Sequence, residues 1–164
     1  MLRLFDLDRT LVPFDSTTLY PQAAELLKEF VANNDKIAII TNQGGPACRD
    51  AGWGEKYPTY EATLARLREI WHVIMDTVGF YPAIYASFIF QKSDGGYIVP
   101  DIFGNYREQL ATGNYRNLPE MIDPHNRKPN PGYIYKAVLD YMASNGDSGK
   151  IKVDVTVVND EILY

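Results

Sequence analysis

Leu2-Arg3-Leu4-Phe5-Asp6-Leu7-Asp8-Arg9-Thr10-Leu11 is the stretch whose reading decides the fold. Residues 2–7 form a short apolar run ending in acid, the pattern of a first strand. Side chains alternate along a strand, so Asp6 and Asp8 point the same way where the extended geometry persists. Two carboxylates crowded at a strand end repel each other unless they share a cation or a proton. Read alone, Asp and Thr here also fit a turn or a helix N-cap. The remainder of the chain decides between these readings.

Outward from this stretch, strands and helices alternate. Pro21 opens a helical pattern with Ala23, Leu26, Leu27, Phe30 and Val31 at helical spacing, and Asn33-Asn34 stops it. Residues 36–41 contain Ile-Ala-Ile-Ile, apolar on both faces and too short for a helix, which is how a buried parallel strand reads. After the break at Gly44-Gly45-Pro46 a loop runs to Pro58. A second helix covers about 59–75, with Leu64, Leu67, Ile70, Trp71 and Ile74 on one side. Residues 83–90 are a third strand. Asn130 reads as an N-cap and Pro131 as the first residue of a third helix carrying Ile134, Ala137, Val138, Tyr141 and Met142. Residues 145–150 make a turn, and the alternation within 151–158 makes a fourth strand. The expected architecture is therefore α/β, a doubly wound parallel sheet with helices on both faces. Ligands bind beyond the carboxyl ends of the strands in such sheets.

The length, 164 residues, fits one domain over 1–164. Within it, 91–127 breaks the rhythm: it is rich in Gly, Asn, Asp, Pro and Tyr, with a possible helical turn only near 106–110. Long irregular insertions in compact domains are usually functional or mobile. This is the one candidate lid, since residues 11–20 are too few for a cap domain. Arg107, Arg116, Arg127, His125 and the tyrosines within it are either substrate contacts or solvated loop residues. The net charge of −5 does not point to nucleic acid, although a local basic patch can coexist with an acidic whole. The single cysteine, Cys48, excludes an internal disulfide and a Cys-rich zinc site. No signal peptide or membrane span is legible, so the expected location is the cytoplasm. Twelve tyrosines are a mild excess, read as core packing or as a stacking surface.

The strand ends carry the chemistry. The second strand runs into Thr41-Asn42-Gln43-Gly44-Gly45, a hydroxyl and flexible amides able to hold phosphoryl oxygens. Taken singly, Thr41 and Asn42 are turn formers. Lys128 precedes Pro129-Asn130-Pro131; it can neutralise an anion, or, as an isolated residue, be solvated surface. The fourth strand runs into Asn159-Asp160-Glu161. Two acids, a hydroxyl, a lysine and two more acids beyond one sheet fit a hard divalent cation and a phosphate.

The ordered set Asp6-x-Asp8-x-Thr10, Thr41-Asn42-Gln43, Lys128-Pro129-x-Pro131-Gly132 and Asp160 resembles the haloacid dehalogenase (HAD) superfamily of phosphatases. Its spelling is most similar to the branch containing histidinol-phosphate phosphatase, heptose-bisphosphate phosphatase and the phosphatase part of polynucleotide kinase. The motifs span nearly the whole chain. The resemblance implies a Mg²⁺-dependent hydrolysis of a phosphate monoester, either a small molecule or a phosphorylated terminus, through an aspartyl-phosphate. Asp6 would be the nucleophile and Asp8 the acid/base. Thr41, with amides near Asn42, would hold the phosphoryl group, and Lys128 would stabilise its charge. Mg²⁺ would be bound by Asp6, the main-chain carbonyl of Asp8, and Asp160. The pattern departs from the family in the fourth motif, where Asn159 replaces the usual Gly and Tyr164 stands where a second acid is common. Glu161 is the candidate substitute. A scaffold with a degraded metal site, or a phosphotransferase or mutase, is the alternative expectation.

Overall fold

The computed structural model describes residues 1–144 and 153–154. In chain order its elements are β1 (Leu2–Phe5), α1 (Pro21–Ala32), β2 (Lys36–Asn42), α2 (Gly45–Asp50), α3 (Tyr60–Val78), β3 (Ala83–Ser87), β4 (Phe90–Gln91) and β5 (Tyr97–Ile98). There follow α4 (Arg107–Ala111), α5 (Gly132–Ser144) and β6 (Val153–Asp154), with 3-10 turns at Asp101–Tyr106, Glu120–Ile122 and Pro124–Asn126. These residues fall into two compact units. One comprises 1–41, 66–85 and the described residues from Gly132 onward; the other comprises 42–65 and 86–131.

The main sheet has the order β3-β2-β1-β6. β1 runs parallel to both neighbours, with Leu2 opposite Lys36 and Val153, and Phe5 opposite Ile39. The strand order reverses at β1, since the chain builds β2 and β3 on one side of it and returns to the other. In open parallel sheets that reversal opens the ligand crevice beyond the carboxyl ends of the strands. Alternation along β1 sets the layers. Leu2 and Leu4 join Ala38 and Ile40 against Tyr133 and Ala137 of α5. Arg3 and Phe5 instead meet Phe30 of α1, at 4.1 Å (guanidinium to ring centre) and 6.0 Å (between ring centres). Helices thus cover opposite faces of β1, as the pattern predicts.

Pro21 begins α1 because its fixed φ suits the first turn and its missing N–H would have no partner there. Asn34 ends the run in the left-handed region at φ 62°, a conformation that asparagine tolerates. Ala23 and Leu27 are buried, whereas Leu26 is 40% exposed. In α3, Leu67, Ile70 and Ile74 are buried and Leu64 is exposed. Leu26 and Leu64 therefore lie off the core faces to which spacing assigned them; a wide apolar stripe always includes flanking positions.

Several boundaries differ from expectation: β1 ends at Phe5 and not at residue 7, and β3 ends at Ser87 and not at residue 90. The stretch after Gly44, read as loop, contains α2, because proline is as acceptable in a first helical turn as in a break. α5 starts at Gly132 and not at Pro131, and the Asn130 amide donates to the Pro124 carbonyl at 2.9 Å.

The segment 91–127 is more ordered than its composition suggests. Ile89, Val99, Phe103, Leu110 and Ile122 form a buried cluster, with Tyr60, Tyr97, Tyr106 and Tyr115 packed on it. These tyrosines are packing residues. The expected helical turn is α4. β6 falls inside the strand expected at 151–158; the rest of that strand and the turn at 145–150 lie outside the described residues.

Candidate active site

β1 ends at Phe5, and the chain then folds into a tight loop. Arg9 takes a left-handed φ of 63°, its amide donating to the Val12 carbonyl at 2.7 Å, and Asp8 bridges to Val12. The amides of Thr10, Leu11 and Val12 all donate to the Leu7 carbonyl. Both acids are turned inward by this winding: Asp6 is 3% and Asp8 4% exposed. Carboxylates are rarely so buried without partners, because desolvation penalises the charge. The Thr10 hydroxyl donates to Asp6 Oδ2 at 3.3 Å, and the Arg66 guanidinium, from α3, pairs with Asp8 Oδ1. Thr10 thus supports Asp6 from within the same motif.

Thr41 is fully buried as the second-last residue of β2, before the Gly44-Gly45 segment. The register that pairs Phe5 with Ile39 brings Asp6 and Thr41 off the same edge of adjacent strands.

In the other unit, Asn42 and Lys128 are locked together. The Asn42 Nδ2 donates to the Lys128 carbonyl and its Oδ1 accepts from the Lys128 amide, each at 3.0 Å. Lys128 is 8% exposed, which rules out the solvated-surface reading. The Asn42 carboxamide positions the lysine backbone with one donated and one accepted hydrogen bond. The Gln43 amide is likewise committed, donating to the Ser87 carbonyl at 2.7 Å. Gly44 and Gly45 permit close approach: a Cβ on Gly44 would sit 2.7 Å from Phe90 Cδ2, and one on Gly45 would sit 2.8 Å from Pro58 Cδ.

Of the candidate substrate contacts in 91–127, Arg107 pairs with Asp101, and His125 pairs with Asp123 while 71% exposed. Cys48 in α2 is buried, and burial pushes its thiol up to about 11, leaving it protonated and unreactive near neutrality. Asp160 and Glu161 lie outside the described residues. Arg66 was not marked by the sequence. The available signal was a charged residue on the buried stripe of α3, one position before Leu67 and four before Ile70.

No family profile matches the chain. It is 30% identical over 139 residues to a methionyl-tRNA formyltransferase from Synechocystis, a match covering 80% of this chain and 42% of that protein. The crystal structures that share its architecture include two phosphatases. One, described as a HAD-like phosphatase from Mesorhizobium loti, superposes with a TM-score of 0.53 at 19% identity, covering 84% of this chain and 56% of the other. The second is a D,D-heptose 1,7-bisphosphate phosphatase from B. bronchiseptica complexed with magnesium and phosphate, with a TM-score of 0.52 at 14% identity, covering 85% and 63% respectively. The chain therefore spans roughly half of the length of the proteins it matches. The parallel sheet, the order of its strands and both superpositions converge: the chain has the haloacid dehalogenase-like fold.

Proposed function

We propose that this protein is a Mg²⁺-dependent phosphatase that hydrolyses a phosphate monoester through an aspartyl-phosphate on Asp6. The observation that carries the reading is the pair of buried carboxylates, Asp6 and Asp8, wound into one loop at the carboxyl end of the strand where the sheet order reverses. Two such acids side by side at a strand end repel each other, and a shared cation relieves the repulsion.

The donors present fit the metal. Mg²⁺ takes hard oxygens and is commonly held by one or two carboxylates while keeping several waters. Asp6 and the main-chain carbonyl of Asp8 supply two such oxygens, and Asp160 is the proposed third ligand. Among the described residues no group of three His, Cys, Asp or Glu side chains gathers, so the proposed site depends on Asp160 beside Asp6 and the Asp8 carbonyl. When bound, the ion supplies neutralisation of phosphate charge.

The residues divide the work. Asp6, oriented by the Thr10 hydroxyl, attacks phosphorus and displaces the leaving oxygen. Asp8 gives that oxygen a proton and later takes one from the water that splits the acyl phosphate. The Thr41 hydroxyl holds a phosphoryl oxygen. Lys128, with its backbone fixed by Asn42, is the proposed cation for the charge that builds up in transfer. The substrate is a small phosphorylated molecule or a phosphorylated terminus. The likeness to a heptose-bisphosphate phosphatase favours sugar phosphates as the first class to assay. Release of phosphate should be measured on sugar phosphates and nucleotide 3′-phosphates, with Mg²⁺ and with excess chelator. Turnover that requires Mg²⁺ supports the reading; full turnover in chelator contradicts the metal assignment.

A further inference from the structure

We infer that Arg66 is a positioning residue of this site, clasping the loop between β1 and α1 at two points and aiming the Asp8 side chain. The inference rests on the phosphatase reading for its kinetic consequence but not for its structural one.

Three observations from the same unit carry it. First, the guanidinium divides its donors: one terminal nitrogen pairs with Asp8 Oδ1, while Nε donates to the Ser16 carbonyl at 3.1 Å. A guanidinium presents a rigid fork of donors, so fixing one contact sets the direction of the other. Second, one turn further along α3, Glu69 accepts from the Thr17 hydroxyl at 3.4 Å, which repeats the attachment on the same helical face. Third, Arg66 is itself only 15% exposed and stands on α3 one position before the buried Leu67 and four before the buried Ile70. The loop itself is wound tightly around Leu7, so pulling on Ser16 and on Asp8 fixes both its ends. A proton-transfer group must be held in reach of its partner atom, and its orientation is as important as its identity.

The test is a double-mutant cycle, read with hydrogen exchange. Arg66→Met should slow kcat by about tenfold or more on a phosphate monoester while moving KM about twofold at most, since general acid/base help is worth ~10²–10⁴ in rate. In the Asp8→Asn background the same change should cost nothing further, because there is no longer a carboxylate to aim. Arg66→Lys restores the charge but cannot span both contacts, and should recover only part of kcat. Exchange of the amides in residues 9–18 should accelerate in Arg66→Met, with the amides of β2 unchanged as evidence that the fold persists. Losses that multiply in the double variant, or unchanged exchange in 9–18, would overturn the inference. If wild type turns over no phosphate monoester, or if Asp6→Asn and Asp8→Asn both keep full turnover, the proposed catalytic reading falls, and the exchange measurement alone decides whether Arg66 clasps the loop.

Discussion

Asp6 and Asp8 are two residues apart yet differ in their support. A threonine hydroxyl serves the first and a guanidinium the second. The proposed division between a nucleophile and a proton carrier predicts different variants. Asp6→Asn should reduce turnover to background on every substrate. Asp8→Asn should cost ~10²–10⁴ in kcat on alkyl phosphates and less on aryl phosphates, whose leaving group needs little protonation. Rates on the two ester classes check this directly. Asn42 offers a third residue-scale prediction. In Asn42→Asp the side chain still accepts from the Lys128 amide but no longer donates to its carbonyl, and a carboxylate oxygen now faces that carbonyl. The variant should be less stable by about 1–3 kcal/mol, the usual penalty for leaving a buried polar group unsatisfied. Denaturant melts should show the loss, with kcat falling as Lys128 is released. Asp6, Asp8, Thr41 and Lys128 could be marked as candidates because each lies in a short motif of its own, at a strand end or just before a helix. Arg66 could not, because its partner is 58 residues away and only packing brings the two together. The burial of Lys128 was hidden for the same reason, its neighbour Asn42 lying 86 residues distant.

Elements were legible where a period had room to repeat. α1, β2 and α3 stand close to the expected places, and even there the outward Leu26 and Leu64 show that spacing gives a stripe's direction and not its edges. α2, β4, β5 and the 3-10 turns are each too short to show a period, so a stretch with its own apolar cluster read as irregular. The close approach at the start of α2 can be tested. Gly45→Ala brings a methyl into Pro58, and overpacking of this kind costs ~1–3 kcal/mol. A lower melting temperature with an unchanged circular-dichroism spectrum is expected. The start of β1 carries an electrostatic prediction. Burial pushes the Asp35 carboxyl up, but the Arg3 guanidinium at 3.0 Å and the Met1 ammonium at 3.3 Å outweigh it and hold it below its ordinary value. A carboxyl depressed in the folded state contributes stability above its unfolded pKa, about 3.9, and loses that contribution as pH falls through the folded value. Asp35→Asn should therefore melt below wild type at pH 7, with the difference closing as the pH is taken below 4.

At the scale of the molecule, a parallel sheet whose order reverses at β1 places its acids at the carboxyl end of that strand. Composition and charge could not specify this; the strand-helix alternation did, and the superpositions on two solved structures bear it out as a fold. No helix among the described residues is long and apolar enough to cross a membrane. The chemistry proposed for the fold comes down to one covalent bond between Asp6 and phosphorus. The most direct measurement is peptide mass spectrometry on enzyme acid-quenched during turnover with Mg²⁺, on wild type, Asp6→Asn and Asp8→Asn. A phosphoryl group on Asp6 is predicted in wild type, increased in Asp8→Asn where hydrolysis of the intermediate is slowed, and absent in Asp6→Asn. Turnover in wild type with no phosphoryl group on Asp6, and an undiminished rate in Asp6→Asn, would contradict it.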